Sequence, residues 1–426
     1  MRKILIISPH FPPSNLAAVH RSRLFARHLP SFGWEPIILT VDGKFYEEDG
    51  DDQLTGLLPA NLKIEKVNAF GITSPRIIGD IGLRAFFQLY RRAKQIIQRD
   101  RIDFLYIPIP SFYTALLGRW LHFSTGIPYG IDYIDPWVHT FPGSQQIFSR
   151  HWWSTRLAKL LEPVAVKKAT LITGVSEKYY EPVLERNPLL KAKAINDAMP
   201  YGGEIEDHVA VKQLGLKPYL FQNKADKVQL VYAGAMLPNA YKILEDIFES
   251  IRENFQVFNT TEFHFIGTGK TANDAAGYNV KPLAEKHGLW QEVVFEYPKR
   301  IPYLDVLVHL EAANGIFILG STEAHYSPSK VYQGILSGKP LLAVLHKEST
   351  AVKVIESTGA GVVLSFEESD AWKIGNEFPG TYKEFLKMAC EYNFANINMN
   401  ALDEYSAGNI TRKLADLLNK AIALKD

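Results

Sequence analysis

Short apolar runs recur along the whole chain, and segments with helical periodicity separate them. In the first half the runs lie at 3–8, 35–41, 62–67, 103–109, 128–135 and 170–175. In the second half they lie at 228–234, 262–267, 292–297, 315–319, 340–345 and 361–364. Near-continuous apolar strands that alternate with helices are typical of parallel sheets covered on both faces. The pattern therefore predicts an α/β protein with two Rossmann-like domains.

The join between the domains is expected within 196–226, because that stretch is turn-rich and hydrophilic around one apolar patch. We therefore predict an N-terminal domain of residues 1–200 and a C-terminal domain of residues 201–404. Ligands of open parallel sheets bind beyond the carboxyl ends of the strands. Two such sheets facing each other would enclose a cleft, so the loops that follow strands are the ones to inspect.

Composition narrows the class of protein. Of 426 residues, 46% are hydrophobic and 22% are charged, which is typical of a globular protein. A single cysteine, Cys390, excludes an intramolecular disulfide and a cysteine-rich zinc site. The apolar run at the N-terminus is too short for a signal sequence, and no run of 18 apolar residues occurs, so we expect a cytoplasmic protein.

Two loops of the first half carry candidate chemistry. In "SPHFPPSNLAAVHRSR" Ser14 can cap the next helix, and Arg21 lies in its first turns, where the dipole disfavours a cation unless an anion is near. The alternative is an ordinary capped helix with solvated arginines. In "IDYIDPWVHT" Asp135 and His139 follow a buried strand, where they can hold substrate hydroxyls or share a proton. The alternative for Asp135 is a simple turn residue before proline.

Glycines mark two loops of the second half. Gly234 and Gly267 each follow a strand, where glycine lets the backbone approach a ligand, and Lys242 opens the helix after Gly234. The alternative for Lys242 is a solvated lysine. The sequence "GKT" after Gly267 matches the end of a P-loop, but His264 stands where its first glycine belongs, so we expect no ATP hydrolysis.

Two further stretches were weighed. In "SPSKVYQGILSGKP" Ser327 is predicted to cap a helix with Pro328 as its first residue, and Ser329 and Lys330 make that helix start a candidate phosphate site. The acidic run 47–52 contains the spacing of a metal-binding aspartate pair, but it is interpreted as a solvated charge cluster. No metal site is predicted.

In order and spacing, several of these segments resemble nucleotide-sugar glycosyltransferases of the GT-B fold, specifically the family 4-like group of bacterial envelope polysaccharide synthesis. The segments are "ILIISPHFPPS", "IPYGIDYIDPW", "LITGVSEKY", "VYAGA", "FHFIGTG", "SKVYQGILSGKPLLAV" and "YSAGNITRKLADLLNKAI". The resemblance implies a GT-B fold in which two Rossmann-like domains face each other across a cleft. It also implies that a last helix, 405–426, crosses back to the N-terminal domain.

What the resemblance implies about chemistry is a UDP- or GDP-sugar held by the C-terminal domain and a glycan or lipid-linked acceptor held by the N-terminal domain. The segment from Gly234 to Lys242 and the pair Ser329 and Lys330 are implied to meet the diphosphate, and Arg300 with Ile301 the base. The implied reaction retains the anomeric configuration and needs no divalent metal and no cofactor beyond the donor.

The sequence departs from the family in two places. After the glycine of "VYAG" it has Ala235 and Met236 where the family often has an arginine, so the diphosphate charge must be met by Lys242, Lys330 or Arg21. The family has two glutamates before the Gly-x-Pro step, and here those positions hold His325 and Gln333. Gln333 can still bind ribose hydroxyls without charge, and His325 takes the place of a residue that touches the sugar. With Asp135 and His139, His325 completes the predicted catalytic set.

Segments 76–101 and 150–168 are basic and interleaved with aromatic residues, which suits contact with an anionic membrane surface at the inner face of the membrane. The alternative is that these helices cover the sheet and expose solvated charges. Nucleic acid is not expected as a partner, since no binding motif occurs. Two other functions stay open, a sugar-nucleotide epimerase of the same fold and a non-catalytic scaffold that binds nucleotide or glycan.

Overall fold

The computed structural model describes residues 1–72, 79–138, 146–324 and 326–424. Its chain divides into two compact units. Unit 1 is Met1–Tyr201 together with Ala407–Asp426, and unit 2 is Gly202–Ser406. His139, His325 and residues 76–78 of the first basic segment lie outside the described residues.

Each unit is built on a parallel sheet. The seven strands of unit 1 are β1 Arg2–Ile7, β2 Trp34–Val41, β3 Lys63–Val67, β4 Phe104–Ile109, β5 Tyr129–Tyr133, β6 Leu171–Gly174 and β7 Ile195–Ala198. The six strands of unit 2 are β8 Val228–Ala233, β9 Thr261–Ile266, β10 Val294–Tyr297, β11 Gly315–Leu319, β12 Leu341–His346 and β13 Gly361–Phe366. The strand orders are β3-β2-β1-β4-β5-β6-β7 and β10-β9-β8-β11-β12-β13. All twelve predicted strands are present, and the predicted α/β class is confirmed.

Helices connect the strands. In chain order they are α1 Ala17–His28, α2 Asp52–Gly56, α3 Ile81–Arg84, α4 Phe86–Asp100, α5 Ala115–Thr125, α6 Arg150–Val166, α7 Glu177–Arg186, α8 Pro188–Lys191, α9 Ile205–Gln213, α10 Tyr241–Glu253, α11 Phe255–Phe258, α12 Lys281–Lys286, α13 Tyr303–Ala312, α14 Lys330–Leu336, α15 Thr350–Thr358, α16 Ile374–Glu391, α17 Met399–Asp403 and α18 Ala407–Ala423. None of the helices in the described ranges is both long enough and apolar enough to span a bilayer.

The interpretation of 196–226 as turn-rich is wrong in part, because the stretch contains the end of β7 and all of α9. The helix α9 was missed because two of its buried residues are polar. Asp207 accepts a hydrogen bond from the Tyr303 hydroxyl at 2.9 Å, and His208 is 2% exposed. A helix that buries polar groups lacks the apolar periodicity by which helices are found in a sequence.

The predicted start of α14 is also wrong. The helix begins at Lys330, with Ser329 as its N-cap residue and without a capping hydrogen bond from the Ser329 side chain. Ser327 serves the neighbouring helix α15 instead, where its hydroxyl accepts hydrogen bonds from the Thr350 amide at 3.1 Å and the Thr350 hydroxyl at 2.7 Å.

The core of unit 1 lies on both faces of its sheet. On one face, α1 packs beside α18, whose Leu414 and Leu418 are fully buried with Trp34 and Ile4. Lys413 ties α18 to β7 through hydrogen bonds to Asp197 at 2.9 Å and to the Ala198 carbonyl at 2.8 Å. The last helix is therefore an integral part of unit 1.

A buried ion pair crosses the same face of the sheet. The Arg21 guanidinium donates to the Asp132 carboxylate at 2.6 and 3.1 Å and to the Pro200 carbonyl at 3.1 Å. The Thr173 hydroxyl donates to Asp132 at 2.8 Å, so both carboxylate oxygens are satisfied. Burial alone would lower the pKa of Arg21, but the charge and hydrogen bonds of Asp132 overcome that effect and raise it.

We predict that Arg21→Met lowers the free energy of unfolding by about 3–5 kcal/mol, because it leaves the Asp132 carboxylate buried without a counter-charge. Urea unfolding measures the change. The control is Lys63→Met, which removes an exposed pair with Glu35 and should cost about 1 kcal/mol or less. Equal losses in the two variants would contradict a structural role for the buried pair.

Candidate functional site

The strand order of unit 2 reverses direction between β8 and β11. From β8 the chain moves outward through α10 to β9, and from β11 it moves through α14 to β12 on the other side. The loops that follow β8 and β11 therefore diverge at the carboxyl end of the sheet, which is where open parallel sheets bind ligands. One hydrogen bond, from the Thr322 amide to the Asn239 carbonyl at 3.4 Å, links the two loops.

Lys330 lies at this point of the sheet. Part of its side chain is exposed, but its Nζ atom is buried and has no hydrogen-bond partner among the described residues. The Nζ atom lies 3.6 Å from the centre of the Tyr232 ring, whose face gives a cation partial electrostatic support. Burial lowers the pKa of Lys330 to about 7. An isolated ammonium in such a place favours an anion as its ligand.

Gly234 lies beside this ammonium. Its φ of 116° is a conformation that side-chain-bearing residues rarely adopt. A Cβ atom added at Gly234 would lie 3.4 Å from the Lys330 Nζ atom. The structure thus brings together two residues that the sequence placed in the nucleotide site, a backbone open to close approach and an unpaired cation.

The loop after β9 forms the next part of the same edge. Gly267 has a φ of 71°, and a Cβ added there would lie 3.7 Å from the Cα atom of Arg300. Glu296 fixes this loop, because its buried carboxylate accepts from the Thr268 hydroxyl at 2.7 Å and from the Lys281 amide at 2.7 Å. Gly267, predicted to let a ligand approach the backbone, is therefore a neighbour of Arg300, which the resemblance assigned to the base.

Gln333 lies on α14 and contacts α9. Its Oε1 atom is 3.0 Å from Nε2 of His208, and Nδ1 of His208 is 2.7 Å from the Glu311 carboxylate on α13. The imidazole thus connects a carboxylate to the amide that replaces the family's second glutamate. The hydrogen bond from His208 therefore fixes the orientation of the Gln333 side chain.

Unit 1 has a second polar cluster at its own point of reversal, between β1 and β4. The Nδ1 atom of His10 is 3.1 Å from the Glu48 carboxylate, and the Ser14 hydroxyl donates to the same carboxylate oxygen. Burial alone would raise the pKa of Glu48, but its hydrogen bonds with His10 and Ser14 lower it to about 2. Glu48 therefore stays ionised and orients the His10 ring, whose side chain is 21% exposed.

The acidic run 47–52 is a solvated cluster only in part, because Glu47, Asp49 and Asp52 are exposed but Glu48 and Asp51 make structural contacts. Glu48 is occupied by His10 and Ser14. Asp51, 2% exposed, accepts from the Leu54 amide at 3.1 Å and caps α2. Within the described residues, no group of three or more histidine, cysteine or acidic side chains is arranged to hold a metal ion.

The other predicted residues have different surroundings. The Lys242 ammonium is exposed and pairs with Asp246 at 2.6 Å within α10. Asp135 is exposed after β5 and near Tyr201, whose hydroxyl pKa is raised first by burial and then by the Asp135 charge. Arg21, predicted to meet a phosphate, is 3% exposed and directed into unit 1 by its pairing with Asp132.

Two hydrogen-bonded pairs in these clusters were not predicted from the sequence. His10 lies in the loop after β1, but its partner Glu48 is 38 residues away, in an acidic run that the sequence predicted to be solvent-exposed. His208 and Glu311 are 103 residues apart, and nothing local connects them. The one available signal was the position of His10 directly after a buried strand.

No protein-family model matches the chain, and no curated protein matches it in sequence. Solved structures match it along almost its full length. A sucrose-phosphate synthase from Thermosynechococcus elongatus has a TM-score of 0.67 at 13% identity, over 99% of this chain and 100% of that one. HepE of Anabaena, in complex with UDP and glucose, has 0.63 at 16%, over 99% and 100%.

A glycosyltransferase from Rickettsia africae has a TM-score of 0.61 at 12% identity, and the match covers 99% of this chain and 98% of that one. At such identities the likeness concerns the backbone, and a shared fold does not by itself carry a shared activity. The two parallel sheets and the full-length matches identify the architecture. The chain has the GT-B fold of these glycosyltransferases.

Proposed function

We propose that the protein transfers a sugar, of the hexose class, from a UDP- or GDP-sugar to a hydroxyl of a glycan or lipid-linked acceptor. The observation that carries the proposal is the buried Lys330 ammonium, which has no hydrogen-bond partner among the described residues and lies beside Gly234 at the reversal point of the unit 2 sheet. A diphosphate would provide the negative counter-charge for this ammonium. HepE, with the same fold, was solved with UDP and glucose, which agrees with that ligand class.

In the proposed reaction, the bond between the anomeric carbon and the diphosphate oxygen breaks as a bond to the acceptor oxygen forms, and the acceptor hydroxyl gives its proton to a base of the protein. Negative charge develops on the diphosphate, and the buried Nζ atom of Lys330 stabilises it. Gly234 lets the backbone lie against the phosphates. Following the family resemblance, we propose a metal-independent reaction that retains the anomeric configuration, within cell-envelope polysaccharide synthesis at the inner face of the membrane.

On the acceptor side we propose His10 as the group that meets the reacting hydroxyl. With Nδ1 directed to Glu48, its Nε2 atom can accept a hydrogen bond from a hydroxyl. The position at the carboxyl end of β1 is where a ligand of unit 1 is expected. Asp135 and the two histidines outside the described residues, His139 and His325, stay proposed members of the site.

A panel of UDP-, GDP- and CMP-sugars tests the proposal against its two alternatives by thermal stabilisation and product analysis. Stabilisation with transfer, or with slow hydrolysis of the donor, supports a glycosyltransferase. Conversion of the free donor into its epimer would make the protein an epimerase. No stabilisation by any nucleotide would leave the scaffold as the better account.

Lys330→Met is expected to weaken UDP binding roughly 10- to 100-fold at pH 6.5, because a charge-assisted contact to phosphate is worth about 1.5–3 kcal/mol. Isothermal titration calorimetry gives the dissociation constants. The matched control is Lys286→Met, which removes an exposed ammonium paired with Glu245 and should leave UDP affinity unchanged. Unchanged affinity in Lys330→Met would remove Lys330 from the site.

UDP binding at pH 8 should take up close to one proton. The pKa of Lys330 is about 7 in the free protein, so the side chain is mostly neutral at pH 8, and a neighbouring diphosphate raises that pKa. UDP affinity should therefore fall as pH rises above about 7, by up to about tenfold per pH unit. Calorimetry in buffers of different ionisation enthalpy counts the proton. Equal proton uptake by Lys330→Met would show that a group other than Lys330 binds the proton.

His10→Gln should lower kcat/KM for the acceptor at least about tenfold, in the range of a positioned acid or base, with UDP affinity unchanged. Initial-rate kinetics at saturating donor provide the measurement. Glu48→Gln should show a smaller loss, because the imidazole remains but loses its ionised partner. Wild-type acceptor kinetics in His10→Gln would exclude this histidine from the reaction.

A further inference from the structure

Helix α6 exposes a stripe of large apolar side chains. Trp153, Leu157, Leu160 and Val164 have exposed fractions of 56%, 41%, 68% and 45%. Their spacing of four, three and four residues places them on one side of the helix, along about 16 Å of its length. The opposite side buries Ala158, Ala165 and Val166 in the core, so the stripe faces away from the core of unit 1.

The stripe continues onto α5, which packs against α6. Trp120 and Phe123 of α5 are 43% and 84% exposed. A groove of about 520 Å³ joins the two helices and is lined by Tyr90, Arg119, Trp120, Phe123 and Val164. Large apolar patches that monomers expose in this way mark interaction surfaces. We call the exposed side of these two helices the α5–α6 face.

The charge of the α5–α6 face has one sign. Residues 115–125 and 150–168, all of them described, contain six lysines and arginines and a single carboxylate, Glu162. Glu162 is 1% exposed and accepts hydrogen bonds from the Arg186 guanidinium at 2.8 and 2.9 Å. Arg150 and Arg156 flank the stripe on its two sides, and the Arg156 guanidinium lies 4.3 Å from the Trp152 ring centre. The face therefore presents cations and no solvent-exposed carboxylate.

In its described part, the first basic segment of the sequence, 76–101, adds Tyr90 to the groove but otherwise provides no such surface. Arg92 and Arg99 of α4 are paired with Glu65 at 2.5 and 2.8 Å. Phe86 and Leu89 are buried in the core, although Phe87 is exposed. Of the two segments that the sequence singled out, the structure leaves 150–168 as the candidate, and it adds α5.

We propose that the α5–α6 face docks on an anionic lipid bilayer. Aromatic and aliphatic side chains flanked by lysine and arginine suit the headgroup region of a membrane, where the rings enter the acyl boundary and the cations meet lipid phosphates. A second copy of the chain fits this face poorly, because a symmetric pairing would place like charges opposite each other. Docking rests on unit 1 alone, and it deepens the proposed function by placing a lipid-linked acceptor within reach of the same unit.

The test is sedimentation of the full chain with vesicles of phosphatidylcholine, with and without about one third phosphatidylglycerol. The protein should sediment with the anionic vesicles, remain in solution with neutral ones, and be released by high salt, which screens the charges. The double variant Trp153→Glu and Leu160→Glu should lose at least tenfold in partition. The control Trp372→Glu, which changes an equally exposed tryptophan of unit 2, should bind as the wild type does.

The proposal would be overturned if the wild type did not sediment with anionic vesicles, or if the double variant and the control lost equally in partition. It would also be overturned if the wild type did not bind vesicles but formed a dimer in light scattering, and the double variant were a monomer. Calorimetry with UDP on the same samples separates this test from that of the proposed function. Vesicle binding without UDP binding would refute the transferase and leave the docking surface standing. UDP binding without vesicle binding would do the reverse.

Discussion

The constraint on which the site depends is the handedness of the connections between parallel strands. Such crossovers are almost always right-handed, so a chain that starts in the middle of a sheet and builds outward in both directions must place its helices on opposite faces. The loops after the two central strands then separate. Unit 2 does this between β8 and β11, and unit 1 does it between β1 and β4. Both polar clusters described above lie at these two openings.

Within unit 2, a buried amine without a hydrogen-bond partner among the described residues makes the electrostatics of the opening unfavourable. Burial lowers the pKa of Lys330, which means that part of the stability available to the fold is given up to keep an amine there. The neighbouring Gly234 adds a conformation that costs entropy. Uncompensated charge of this kind is typical of functional sites. An anion bound beside Lys330 would compensate it.

The sequence predicted the strands well, because strands buried on both faces are apolar runs whatever the rest of the chain does. It failed for α9, whose buried face is polar, and for the start of α14, where two serines competed for one role. It also assigned Arg21 to a phosphate, because a local pattern cannot distinguish a cation that awaits an anion from one already paired with Asp132. The sequence placed Gly234 and Lys330 each in a loop that follows a strand. That the two residues are close together follows from the strand order, which the sequence did not predict.

The place of α18 has a consequence for biosynthesis. Leu414 and Leu418 complete the core around β1 and β2, although they are made some 400 residues after those strands. Unit 2 is continuous in sequence and needs no later segment, so it can reach its native structure on the ribosome first. The N-terminal strands are synthesised earliest and finished last. During that interval one apolar face of their sheet lacks one of its covering helices and is open to non-native contacts.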